Sequence, residues 1–265
     1  MMNGAVVAEG APRILDLVTE ARRLRPALAD IDPALRVAAQ RTWLRRMVNE
    51  HGSAPVFEGL AAQMRRVGAG VERIEACVRM AEEERTHGVL CGAVVEALGG
   101  EARASAKVTH AFPEHLDATP LEAVTRNILS TCCLAETVAV AIISAEREEM
   151  PSGDLRRLLS EILADEVGHA RFGWRFLAEA APDFDGATRD RLGAYLRLAF
   201  ASLEEHELVG LPAHARFPAE AAAFGLCNGR EARELFYATV SEVVIPRLEA
   251  HGLPAAAAWQ ARAAA

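Results

Sequence analysis

Aromatic residues are scarce in this chain of 265 residues: they make up 5% of it, and only two are tyrosines, Tyr195 and Tyr237. No stretch shows convincing alternation of apolar and polar residues, so a sheet-based fold has little support. No two of the five cysteines, Cys77, Cys91, Cys132, Cys133 and Cys227, form a CxxC pair. That removes the usual zinc and dithiol motifs; all five sit in apolar, helix-like sequence and read as buried free thiols of a reducing cytosol. Basic residues are outnumbered, 29 Lys and Arg against 37 Asp and Glu, for a net charge of −8. A nucleic-acid or anionic-membrane surface needs clustered cations and is not expected. The start, "MMNGAVVAEGAPRILDL", lacks a basic segment followed by an apolar core, so it does not read as a signal peptide. No run is expected to reach the roughly 18 apolar residues of a membrane span. A cytoplasmic protein is the expectation.

What is present is helical periodicity. Hydrophobic residues make up 51% of the chain, with alanine abundant, and the pattern predicts an all-α fold. A short N-terminal helix is expected over Pro12 to Leu24. Asp32 and Pro33 then mark a helix start, as N-cap and first helical residue. The first long helix runs to Arg66 with a stripe of Trp43, Met47, Ala54, Phe57, Ala61 and Met64. The second runs from Val71 to Leu98 and stops at Gly99-Gly100. A connection of about twenty residues leads to a third, opening at Thr119-Pro120 and ending near Glu149. The fourth runs from Ser152 or Asp154 to about Ala181, and two further helices are expected over Gly186–Leu208 and Arg230–His251. Short turns within each pair and a long crossover between the second and third helices suit a four-helix bundle. Residues 33–182 form its core, within a single domain of 1–265, and 183–265 form a C-terminal helical extension.

Two ExxH motifs stand out, Glu84-Arg-Thr-His87 and Glu166-Val-Gly-His169. Residues i and i+3 share a helix face, so both side chains can reach one ion. Alone this is weak: 28 glutamates and 8 histidines in 265 residues give about one such match by chance. Three further observations add weight. Both motifs lie in apolar stripes, where a carboxylate must be neutralised, paired or bound to metal. Each of the other two long helices carries one glutamate in its stripe, Glu50 and Glu136, and Glu136 is the only charge between Arg126 and Glu146. The order also repeats, a lone glutamate and then an ExxH. An acid precedes each motif, Glu83 and Asp165, placed to hold a ligand histidine by a hydrogen bond.

Four helices carrying Glu, ExxH, Glu, ExxH in that order resemble the ferritin-like di-iron carboxylate superfamily. The stretches "NEHGSAPVF", "CLAETVAV", "LADEVGHARFGWRFL" and "YATVSEVVIPRLEAHGL" are similar to a bacterial group of ferritin-like domain proteins. The resemblance implies two iron ions, or manganese or a mixed pair. Their ligands would be Glu50, Glu84, His87, Glu136, Glu166 and His169, with Glu84 and Glu166 as bridges. Pro55 follows Glu50 closely; if the helix breaks there, Glu58 is the substitute, though Glu58 lies off the stripe.

The resemblance implies an oxidase or oxygenase that activates O2 or peroxide for a small-molecule substrate, served by an unidentified electron donor, and allows assembly as a homo-oligomer. An iron-binding, ferroxidase or storage protein is the alternative, and a metal-free helical interaction module a third. The two tyrosines lie outside the four helices, which disfavours a tyrosyl-radical role. His51, His110, His115, His206, His214 and His251 sit in polar or turn-like sequence and read as surface residues. Gly88 and Gly92, one turn apart, read as a close helix contact, with a channel as the alternative.

Overall fold

A computed structural model describes residues 13–106 and 112–264. The first twelve residues, and His110 with its neighbours, lie outside the described residues. The protein is mostly helical, as the periodicity predicts. Its long elements are α2 (Pro33–Arg66), α3 (Val71–Ala97), the pair α4 (Pro120–Ile128) and α5 (Glu136–Glu149), and α6 (Asp154–Ala180). Asp32 caps α2, accepting from the Ala34 amide at 2.8 Å, and Thr119 caps α4, accepting from the Glu122 amide at 3.3 Å. Gly99, at φ 80°, ends the turn after α3 in the left-handed region. α2 packs along α3, α5 along α6, and the pairs meet through α3–α6 and α2–α4.

Four features depart from the sequence reading. The expected N-terminal helix is a strand, β1 (Arg13–Asp16), followed by a short α1 (Val18–Arg23). β1 pairs antiparallel with β2 (Arg103–Ala106), which lies in the connection after α3. Four residues are too few for a period-2 signal to stand out. The third expected helix is not one regular α-helix: Leu129–Ala135 adopts π-helical geometry between α4 and α5. Taken as one rod, Pro120–Glu149 does contain an 18-residue window long and apolar enough to cross a membrane, contrary to expectation, but 56% of it is buried inside the protein. It is a core helix, and Glu136, the only ionisable residue between Arg126 and Glu146, was not enough to lower the hydropathy of the window. Finally, the last expected helix is divided into α8 (Gly229–Thr239), a π-helical Val240–Val244 and α9 (Ile245–Ala250), and an unexpected α10 (Ala255–Ala261) follows.

α7 (Gly186–Gly210) packs on α10 and on the π-helical Leu129–Ala135, while α8 packs on α5. Their side chains Phe200, Phe236 and Leu248 share one apolar core with Cys132, Leu134 and Phe57. The residues after α6 are therefore built into the same interior as the four long helical segments. Two glycine contacts set the spacing near the ExxH motifs. A Cβ on Gly88 would lie 2.7 Å from the His51 Cβ on α2, and one on Gly173 would lie 2.4 Å from the Cys132 Cβ. Gly92 likewise backs onto Ala102 and Met47. Gly88 and Gly92 thus serve close helix packing.

Candidate metal centre

The four long segments bring six side chains together: Glu50 from α2, Glu84 and His87 from α3, Glu136 from α5, and Glu166 and His169 from α6. Their ligand atoms form two overlapping groups, Glu50, Glu84, His87 and Glu166, and Glu84, Glu136, Glu166 and His169. Within each group the atoms lie within 4.8 Å of one another, and the groups share Glu84 and Glu166. This buried cluster could hold a metal ion. α2 runs through Pro55 without ending, so Glu50 reaches the cluster. Glu58 instead is exposed and pairs with Arg85.

Each imidazole is oriented at both nitrogens. His169 Nδ1 lies 3.1 Å from Glu166 and 3.2 Å from Glu84, and His87 Nδ1 lies 3.2 Å from Glu166 and 3.6 Å from Glu50. The outer nitrogens face the acids that precede the motifs, but across helices. His87 Nε2 lies 3.1 Å from Asp165 of α6, and His169 Nε2 lies 2.9 Å from Glu83 of α3. Each acid therefore holds the other motif's histidine. Once Nδ1 gives up its proton, Nε2–H donating outward leaves the Nδ1 lone pair towards the carboxylates, the arrangement a metal-bound imidazole needs.

Electrostatics single out this cluster. Burial raises the Glu84 pKa to about 8, only partly offset by His169. Burial, then the charges of Glu166 and Glu84, push Glu136 well above the carboxylate range. Burial works against ionised Glu166 too, but its contacts with His169, His87 and Glu136 hold it below the usual value. Burial would lower both histidines, yet Glu166 and Glu50 hold His87 up at about 11, and Glu166 and Glu84 hold His169 at about 10. No arginine pairs with Glu84, Glu136 or Glu166 among the described residues. The fit to a cation shows at one atom: His87 Nδ1 is buried and makes no well-aligned hydrogen bond. A buried polar atom without a partner calls for an explanation, and an ion among hard carboxylate oxygens and one imidazole supplies it.

The other histidines lie elsewhere. His206 and His214 are exposed, as expected. His51, His115 and His251 are half-buried rather than on the surface, because His51 packs on Gly88 and His115 bonds Asn127. Cys77, Cys91, Cys132 and Cys133 are buried and Cys227 is half-buried, all as free thiols. A scan of protein-family models finds none that matches the chain, and a search of curated proteins finds no match either.

Proposed function

We propose that this chain is a ferritin-like di-metal carboxylate protein that activates O2 or peroxide to oxidise a small molecule. The observation that carries the reading is the pair of four-ligand groups sharing Glu84 and Glu166. Glu50 and His87 would complete one position and Glu136 and His169 the other. Three carboxylate oxygens to one imidazole favour iron or manganese over zinc or copper. Two such ions, when bound, supply two electrons to O2 or peroxide. The chain's own part is to hold the carboxylates in register, keep water from Glu136, and fix each imidazole through Asp165 or Glu83. Free thiols and an acidic surface fit a cytosolic setting without nucleic-acid partners.

One observation favours the ferroxidase or iron-storage alternative. Two recesses of the structure, lined by residues of Gln63–Arg73 and Glu114–Ala123 and by Phe176, take in none of the six cluster residues. Gln63 is thirteen residues beyond Glu50 on α2, about 20 Å along the helix. Protein expressed with iron should carry about two ions per chain and change its visible spectrum when Fe(II) and then O2 are added. Uptake of far more iron per chain would decide for storage. No stoichiometric metal and no spectral change would leave the metal-free helical module.

A further inference from the structure

The two ligand groups differ in what surrounds them. At one, the terminal carboxylate of Glu50 is 19% exposed, and its neighbour one turn earlier on α2, Arg46, pairs with Glu146. The acid behind His87, Asp165, is 41% exposed. At the other, every member of the group is buried. Its histidine packs against the fully buried Phe57 ring, with centroids 5.1 Å apart. Glu136 is flanked by buried Cys132 and Cys133, and its neighbour Thr137 accepts from the buried Trp174 indole.

Releasing an ion requires a terminal carboxylate to swing away while water takes its place. Water already reaches Glu50. Beside Glu136 it would have to enter an apolar wall, with a displaced carboxylate left unsolvated.

We propose that the two metal positions are kinetically inequivalent: the ion held by Glu50 and His87 exchanges with solvent, and the ion held by Glu136 and His169 is trapped in the dry interior. The inference rests on the di-metal reading above. It makes Glu50 the residue through which ions enter and leave.

The test uses the full-length chain loaded with Mn(II) and mixed with excess EDTA, with released Mn(II) followed by its electron paramagnetic resonance signal. Two phases of equal amplitude are expected, differing in rate by about 10–100-fold, the range set by desolvating one polar group. Glu50→Ala should bind one ion per chain and show only the slow phase. Glu136→Ala should bind one ion and show only the fast phase. Release of both wild-type ions in a single phase overturns the proposal, whatever the variants do. So does loss of the slow phase in Glu50→Ala, checked against Glu50→Gln. Absence of stoichiometric Mn(II) in the wild type overturns the di-metal reading itself, a different outcome from single-phase release.

Discussion

Six glutamates are buried among the described residues, and they fall into two kinds. Glu96 meets Arg22 and Arg25, each at 2.9 Å, and also accepts from the Ala102 amide. Glu122 meets Arg126 at 2.8 Å and Arg191 at 2.9 Å, and Glu146 meets Arg46. Glu84, Glu136 and Glu166 have no arginine; they have one another and two histidines. Burying a carboxylate is costly wherever it happens, and the first three are compensated by covalently attached cations. The second three share two histidines and their protons, with no permanently charged side chain among their partners. A glutamate with its own arginine holds structure together. A glutamate crowded with other carboxylates, and lacking an arginine, is on our proposal arranged for something that binds.

The contrast can be broken by mutation. The largest effect should come from Glu122→Ala, which leaves Arg126 buried with only the exposed Asp117 as partner. Urea unfolding should show a loss of about 3–5 kcal/mol, the same with and without added metal. A change within about 0.5 kcal/mol would erase the distinction between the two kinds of acid.

Added Mn(II) should act only through the central cluster. At a hundred times its Kd it should stabilise the protein by about 2.7 kcal/mol. The sign of the pH dependence follows from the metal-free protein. Glu84 titrates at about 8 and His87 and His169 at about 11 and 10, so these three carry protons at neutral pH, and burial with the neighbouring carboxylates pushes Glu136 well above the usual carboxylate range. Binding an ion must expel those protons, so affinity weakens as pH falls below about 11 and most steeply below about 8, where Glu84 joins the histidines. Thermal unfolding with and without Mn(II) at pH 8 and pH 6 measures this; an equal gain at both would contradict the proton competition.

The acids behind the histidines come next. Asp165→Asn and Glu83→Gln should each weaken Mn(II) binding by about 10–100-fold, read by titration. Glu58→Gln, at an exposed pair with Arg85, should leave it unchanged. Because the contacts are crossed, Asp165→Asn should perturb the position completed by His87, although Asp165 belongs to the other motif.

That crossing marks the limit of what the residues disclose in one dimension. Helical phase alone places Glu50, Glu84, His87, Glu136, Glu166 and His169 on inward faces, because 3.6 residues per turn is a strong, long-range signal in segments of 27 to 34 residues. Asp32-Pro33 and Thr119-Pro120 mark helix starts through local capping chemistry, which needs no tertiary information. Glu83 and Asp165 are legible as supports, but their partners are not: whether an acid reaches its own helix's histidine or the facing one depends on helix rotation. The π-helical Leu129–Ala135 was hidden for a related reason. Its residues are uncharged all round, so one extra residue in the turn leaves no break in the pattern. The β1–β2 pair depends on a partner about ninety residues away, which no local window contains.

The smallest effect is the most diagnostic, because its sign reverses between the two regions. Glu136→Leu removes a buried carboxyl that burial and neighbouring carboxylates hold protonated, and puts an apolar side chain beside Cys132 and Cys133. In metal-free protein it should raise unfolding stability by about 1–2 kcal/mol, as when uncompensated polar groups leave a core. With Mn(II) present the variant should gain less than the wild type, having lost one binding position. Glu146→Leu supplies the opposite sign: it strands Arg46, whose charge the Glu146 carboxylate holds in place, and must destabilise with or without metal. Denaturant unfolding of both variants, each with and without Mn(II), decides the matter. If Glu136→Leu destabilises metal-free protein as Glu146→Leu does, Glu136 is a structural acid like the arginine-paired three, and the cluster loses its claim to be built for a cation.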